Sequence, residues 1–395
     1  MDVVNSLGGL RAEPGGRPQA KKILMCAIGW PPHVGGVQAY SEFVARAYLS
    51  AGFELTVIAS RPGPRGWVDL QFPEGALRLW NVGEGRQATL FARMLMAARR
   101  IFAAERFDLV HPTTWRAALA LTPFRKSSPL AVTVHGREVL IVPFWLRAMM
   151  RRTLRSAQVV AAVSNTTLAA LKAAVPPAPD NDWIAAFNGI SYRAEALAHV
   201  REETRTGPIR LYSFCRLEER KNIIGALRAM RLLKDRGFSN FFYTIAGGGP
   251  LTSAIGAEIE ALGLSDHVTM AGYIDEAEIT ARYAACDVFV HPQIAAAGGA
   301  DIEGFGLVIA DAMAFGALAL VGEAGGPADF VKHNVNGLVV DGEDIEQIAR
   351  ALESVLTDRA RLARLAAEGR RWALETLSWD RHVSAILHQV KGLDR

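Results

Sequence analysis

The feature that most constrains this chain is an alternation of apolar, strand-like runs with helical segments that begins twice, at Lys22 and again at Ile209. In the first half the runs are KILMCAI, ELTVIAS, DLVHP, LAVTVHG, QVVAAVS and DWIAAFN. In the second they are IRLYSFC, FFYTIAGG, HVTMAGY, VFVHP, ALALVG and GLVV. Helical patterns fill the intervals at residues 37–51, 89–105, 145–156, 166–173, 223–236, 251–262, 275–285 and 345–357. Continuous apolar strands separated by helices predict parallel sheets covered on both faces. A chain of 395 residues exceeds what one core holds. The reading is therefore α/β, with two doubly wound, Rossmann-like domains joined at the polar stretch AHVREETRTGP. Ligands of such sheets bind beyond the carboxyl ends of the strands, so chemistry is sought only there.

Composition narrows the function. Half of the residues are hydrophobic and 21% are charged, which excludes low-complexity and disordered classes for most of the chain. Residues 1–20 are rich in Gly and Pro and lack an apolar targeting core, so they read as a disordered N-terminal tail. The longest apolar stretch, from Gly306 to Gly322, contains Asp311 and splits into a short helix and a strand rather than a membrane span. Cys26, Cys215 and Cys286 are widely spaced, which argues against a structural zinc site or a disulfide framework and fits a cytoplasmic protein. Residues 1–200 carry 23 Lys and Arg against 13 Asp and Glu, and residues 201–395 carry 21 against 27. A basic half suggests an anionic partner. No nucleic-acid module is visible and the basic residues are scattered, so nucleic acid is not expected.

Four segments at strand ends carry chemistry. In GWPPHVGGVQAYSEF, Gly35 and Gly36 let the backbone approach a ligand. The helix behind them offers free N–H groups and the positive end of its dipole, which suits a diphosphate. A glycine pair alone also fits any strand-to-helix turn. In TVHGRE, His135 ends a strand and would point into the cleft, while a half-buried histidine satisfied by backbone fits it too; His33, His111 and His291 occupy similar positions, and most of the four read as structural. In CRLEERKN, Arg216 and Lys221 leave one loop five positions apart, a fork and a point charge suited to a diphosphate. A solvated charge run is the plainer alternative there, with Glu218, Glu219 and Arg220 around them. In GADIEGFGLVIADAMAFG, Glu303 and Asp311 are eight apart. Phe305, Gly306 and Leu307 lie between them; with a helix starting near Gly306, the amides of its first turn can hold phosphate oxygens, Asp311 falls one turn past Leu307 within reach of a ribose diol, and Glu303 lies nearer a reacting sugar, although a loop Glu303 and a first-turn dipole partner Asp311 fit the pair as well. IAGGGP, containing Gly248, is not a GxGxxG fingerprint, which argues against a dinucleotide dehydrogenase. Asp180-Asn181-Asp182 has DxD spacing but precedes a strand, at the wrong end of a sheet for a metal-bound donor, and reads as solvated.

Together PPHVGGVQAYSEF, VHGRE, FNGI, CRLEERKN, IAGGGP, EGFGLVIADAMAFG and GGPADFVKHNVNGLVV resemble, in order, the family 4 retaining glycosyltransferases of the GT-B fold. The resemblance implies that residues 21–200 plus a C-terminal helix at about 378–395 bind the acceptor, and that residues 207–377 bind a nucleotide-sugar donor. It implies transfer of a hexosyl group from a GDP- or UDP-sugar to a glycan or lipid-linked acceptor, with retained configuration, no metal and no cofactor. Arg216, Lys221 and the amides of Phe305, Gly306 and Leu307 would hold the diphosphate, with Gly35 and Gly36 closing over it and Gly248 beside it. Tyr273 and Ile274 would read the base, Asp311 the ribose, and Glu303 and His135 the donor sugar. A retaining hydrolase uses two carboxylates roughly 5 Å apart, one as nucleophile. With Asp311 assigned to ribose no second carboxylate is evident, which favours front-face displacement, the donor phosphate taking the acceptor proton. The other reading is a non-catalytic nucleotide-sugar-binding protein on the same scaffold. Three positions depart from the family pattern: Asp311 replaces Glu, Cys215 replaces Gly, and Ser191 replaces Asp.

The segment FWLRAMMRRTLR begins at Phe144 and ends at Arg155. It places Arg147, Arg151 and Arg155 on one helical stripe beside Trp145, Met149 and Met150. This composition suits a helix lying on an anionic membrane surface, and an amphipathic cover helix with a solvated basic face fits it equally. A peripheral position at the inner membrane face follows from the first reading.

Overall fold

The computed structural model describes residues 20–124, 128–179, 181–199 and 207–393. All but the last residue of the expected tail, most of the expected linker and Asp180 lie outside the described residues. The first lobe contains strands β1 (Lys22–Ala27), β2 (Glu54–Ala59), β3 (Gly66–Phe72), β4 (Gly75–Asn81), β5 (Leu109–Pro112), β6 (Ala131–Val134), β7 (Val159–Ala162) and β8 (Asp182–Ala185). The second contains β9 (Ile209–Phe214), β10 (Phe241–Ala246), β11 (Val268–Gly272), β12 (Val288–His291), β13 (Leu318–Gly322) and β14 (Leu338–Val340).

In the second lobe all pairings are parallel, in the order β11-β10-β9-β12-β13-β14. The chain moves outward from β9 to β11, then returns to β12 on the other side of β9. The strand order thus reverses between β9 and β12, which opens a crevice at their carboxyl ends. CRLEERKN follows β9, and the loop bearing Glu303 follows β12. The first lobe has the order β3-β4-β2-β1-β5, joined through a Val110–Leu130 bridge to β6-β7-β8. Its corresponding reversal lies between β1 and β5, beside the loop of Gly35 and Gly36.

One departure from the expected pattern is a hairpin. β3 and β4 pair antiparallel in register from Gly66–Asn81 to Phe72–Gly75, so the first sheet has an antiparallel edge. Along β3 exposure alternates with partial burial, leaving no continuous apolar run to mark it. The helices Trp115–Leu121 and Arg359–Thr376 likewise add to the expected set.

One apolar cluster runs through both lobes. It joins Ile23, Tyr40 and Val44 to Phe305, Ile309, Met313 and Phe330, and includes Val383 and Ile386 of the last helix, Trp379–His388. That helix returns to the first lobe, where Trp379 stacks on Phe43 with ring centroids 5.3 Å apart and donates its indole N–H to the Ile190 carbonyl at 3.1 Å.

Candidate active site

After β9 the chain makes one tight turn, Glu219–Lys221, and reaches Asn222 in the left-handed conformation (φ 52). Asparagine tolerates this region better than most residues. Its Oδ1 accepts the Gly225 N–H at 3.2 Å and starts the helix Ile223–Asp235; its Nδ2 donates to the Pro292 carbonyl at 3.0 Å. The Ile294 N–H donates to the Arg220 carbonyl at 2.9 Å. These bonds tie the turn to the loop after β12 and direct Lys221 inward, where its Nζ donates to Glu303 Oε2.

Glu303 is nearly enclosed. His291 Nε2 lies 3.7 Å and Arg220 Nε 3.8 Å from Oε2. Burial alone would raise its pKa, but the Lys221, His291 and Arg220 side chains outweigh that and hold the carboxyl well below its ordinary range. His291 is fully buried, and burial beside Lys221 pushes it down to about 4, so it is neutral. Arg216 is different: its side chain is 71% exposed at the mouth of the crevice, and its Nε meets Glu218 Oε1 at 2.8 Å. Glu218 also accepts a hydrogen bond from Arg220.

The helix Leu307–Ala314 starts behind Gly306, which is left-handed (φ 86) and has no side-chain cap. Among the described residues no acceptor meets the N–H groups of Phe305, Gly306 and Leu307. The helix Gly36–Ser50 is also uncapped, and the N–H groups of Gly36, Val37 and Gln38 are unpaired in the same sense. Two helix N-termini, one from each lobe, therefore carry open donors and positive dipole ends. The Tyr273 ring, 84% exposed, lies against Gly248, where a Cβ would stand 2.9 Å from it. Ile274 is packed against the shared core.

The lobes touch directly behind this crevice. A Cβ on Gly304 would collide with the His135 carbonyl, so the two loops meet backbone to backbone. Thr167 Oγ1 donates to the Gly304 carbonyl at 3.2 Å. Asp329 accepts from the Thr166 N–H at 2.8 Å and its hydroxyl at 2.9 Å. His135 Nε2 lies 2.9 Å from the Thr113 carbonyl, so this nitrogen carries the proton and Nδ1 keeps its lone pair. Burial lowers the His135 pKa, keeping the ring neutral. Its ring stands edge-on to Tyr40 with centroids 4.6 Å apart.

Tyr40 belongs to a buried chain of hydrogen bonds with one consistent direction. His382 Nδ1 faces the carbonyls of Ala186 and Phe187 at 3.1 and 3.2 Å and must donate. Its Nε2 then accepts from Tyr40 at 2.7 Å, Tyr40 accepts from Thr133 at 2.7 Å, and Thr133 from His111 Nε2 at 2.8 Å. His111 Nδ1 accepts from Tyr48 at 2.9 Å. Burial lowers His111 to about 3 and His382 to about 4, so both stay neutral as the chain requires.

The sequence pattern described as Glycosyltransferase Family 4 matches residues 34–186, and that described as Glycosyl transferases group 1 matches residues 197–372. A GDP-mannose-dependent alpha-(1-6)-phosphatidylinositol monomannoside mannosyltransferase of Mycolicibacterium smegmatis is 30% identical, over 94% of this chain and 98% of its own length. The chain is a family 4 glycosyltransferase. The protein of the same description from Mycobacterium tuberculosis is 29% identical over 94% of this chain and 99% of its own. The sucrose-phosphate synthase of Thermosynechococcus elongatus shares the GT-B fold with a TM-score of 0.74, at 20% identity, over 93% of this chain and 97% of its own.

Within this glycosyltransferase the expected residues are not all placed as the motif reading had them. Lys221 is committed to Glu303 rather than free for an anion, which leaves Arg216 as the exposed cation of that pair. Asp311 is turned away from the crevice: it is 2% accessible, and its Oδ1 accepts the Ser191 N–H of the first lobe at 2.6 Å. Burial raises its pKa to about 7, against the opposing pull of the Ser191 bonds. Asp311, expected at a ribose, here joins the lobes through its Oδ1. Two departures from the family pattern, Ser191 and Asp311, meet here. An Asp at 191 would set a second carboxylate beside a buried one.

Arg137, Arg220, Asp301 and His291 join the site, although the motif reading left them outside. Arg220 looked like part of a solvated run, and its significance depends on the loop after β12 folding back over it. Among the described residues no group of three or more His, Cys, Asp or Glu side chains is arranged to hold a metal ion. The helix Phe144–Ser156 exposes Phe144, Trp145 and Met149, while Arg147 and Arg151 each donate to a backbone carbonyl at 3.2 Å. Among the described residues no helix is long and apolar enough to cross a membrane.

Proposed function

We propose that this glycosyltransferase moves a hexosyl group from a nucleotide-diphosphate sugar to a glycan or lipid-linked acceptor, with retained anomeric configuration and without a metal. The observation that carries the reading is the pair of uncapped helix N-termini facing the crevice with Arg216 at its mouth. As the nucleoside diphosphate departs, negative charge grows on its bridging oxygen; fixed amides and a guanidinium oppose that charge without reorganising. Gly35, Gly36, Gly248, Phe305, Gly306 and Leu307 would surround the diphosphate, and Tyr273 with Ile274 the base. Lys221 acts through Glu303, holding it ionised to accept a hydroxyl of the donor sugar. The neutral His135 offers its Nδ1 lone pair from the opposite wall.

An ion-paired Glu303 is a poor nucleophile, and Asp311 is engaged with Ser191. Both facts favour front-face displacement, in which the acceptor oxygen bonds to the anomeric carbon as the diphosphate leaves and takes the acceptor proton. GDP-mannose is the first donor to test, because the mycobacterial relatives are described as dependent on it. The helix Phe144–Ser156 is assigned to an anionic membrane surface carrying the acceptor.

The test is proton NMR of the product formed from GDP-mannose or UDP-glucose in EDTA. Release of nucleoside diphosphate with an α-linked product supports the reading. An inverted product or a metal requirement contradicts the mechanism, and binding without any release favours the non-catalytic alternative.

A further inference from the structure

Beside Glu303 lies a group of buried polar atoms whose hydrogen bonds are incomplete. The loop after β12 is closed by a bridge in which Ala296 and Asp301 exchange both backbone hydrogen bonds at 3.0 Å. This fixes Asp301 at the crevice wall, with its side chain 14% exposed. Its Oδ1 is buried and has no hydrogen-bond partner. Arg137 Nε, from the first lobe, stands 3.7 Å from that oxygen, and Arg220 Nη1, from the second, stands 3.8 Å away. Arg220 Nε is also buried without a partner, 3.8 Å from Glu303 Oε2. These separations exceed a direct N–H···O bond. Buried polar atoms left so require an explanation, and a small polar ligand group between them is one.

The charges alternate across the crevice: Arg137, Asp301, Arg220, Glu303, Lys221. A hydroxyl can donate to a carboxylate and accept from a guanidinium at once, so a polyol matches this row. A diphosphate does not, since two carboxylates face it, and a cation does not, since three positive groups surround them. We propose that Asp301, held between Arg137 and Arg220, binds a hydroxyl of the donor hexose. Arg137 reaches the same hydroxyl from the acceptor lobe, so the sugar itself, rather than the nucleotide, draws the lobes together there. This inference rests on the nucleotide-sugar reading of the crevice.

Calorimetry with GDP, GDP-mannose, UDP and UDP-glucose separates the two. Asp301→Asn should bind the nucleoside diphosphate as the wild type does while losing about tenfold or more of its affinity for the nucleotide sugar, the value of one hydrogen bond to a charged group. Arg137→Gln, at a side chain 57% exposed and therefore safe for folding, should show the same selective loss. Unchanged nucleotide-sugar affinity and turnover in both variants overturns the proposal. Equal loss of diphosphate and nucleotide-sugar binding in a folded Asp301→Asn overturns it too, because the residue then serves the loop. A wild type that binds none of the four nucleotides overturns the underlying reading with it.

Discussion

Replacing Lys221 by Met tests the electrostatic centre of the site. The Lys221 and Glu303 side chains are 8% and 12% exposed, so the substitution leaves a buried carboxylate without its principal cation. Breaking a buried pair in this way costs about 3–5 kcal/mol. Arg220 remains at 3.8 Å, which places the loss near the lower bound. A deficit of about 3 kcal/mol lowers the melting temperature of a lobe this size by roughly 6–12 °C. The sign of the pH dependence is also determined. In the wild type the lowered Glu303 pKa contributes stability above its unfolded value of 4.5, and that stability is lost as pH falls through the folded pKa. In Lys221→Met burial raises the pKa instead, so the deficit relative to wild type is largest near pH 8 and shrinks toward pH 5 as Glu303 takes a proton. The double variant Lys221→Met with Glu303→Gln should recover most of the lost stability but no sugar transfer. Thermal melts at pH 5 and 8 read all three proteins. A deficit under about 1 kcal/mol, or a double variant no more stable than Lys221→Met, would refute the argument.

Other outcomes follow from the same geometry. Asp311, raised to about 7 by burial, lends stability below its unfolded value of 3.8 that is lost as pH rises through 7; Asp311→Asn should therefore be more stable than wild type at pH 8 and lose that advantage near pH 5, as melts at the two pH values would show. Gly304→Ala places a Cβ against the His135 carbonyl and should lower kcat by about a hundredfold, the scale of a 1 Å misplacement, with nucleoside diphosphate affinity kept. Changing Arg147, Arg151 and Arg155 to Gln should remove about 3 kcal/mol of attraction to anionic vesicles, read by sedimentation with phosphatidylinositol-containing liposomes; unchanged sedimentation sinks the membrane assignment.

The two-lobed α/β plan was legible because buried parallel strands are predominantly apolar, as ILMCA of β1, VIA of β2 and VFV of β12 are, and because helical patterns separate them. The β3–β4 hairpin was not: along β3 exposed and half-buried side chains alternate, so it has no apolar run, and its Trp67–Trp80 contact is visible only once the strands pair. Arg216 and Lys221 stood out because they follow a strand as a fork and a point charge, and Glu303 and Gly306 because they share a glycine-bearing loop that opens a helix. Arg220 and Asp301 did not, since both become part of the site only when the Ile294 N–H finds the Arg220 carbonyl and the loop closes through Ala296. The Ser191–Asp311 bond joins positions 120 residues apart, and no local pattern marks either one.

The most direct measurement compares nucleoside mono- and diphosphates by calorimetry in EDTA, on wild type and Arg216→Ala. The second phosphate should add at least about tenfold in affinity, the contribution of a charge-assisted contact, and Arg216→Ala should reduce that increment, the helix amides keeping the rest, while monophosphate binding stays. Equal affinity of wild type for the two nucleotides would contradict a diphosphate seat between the lobes.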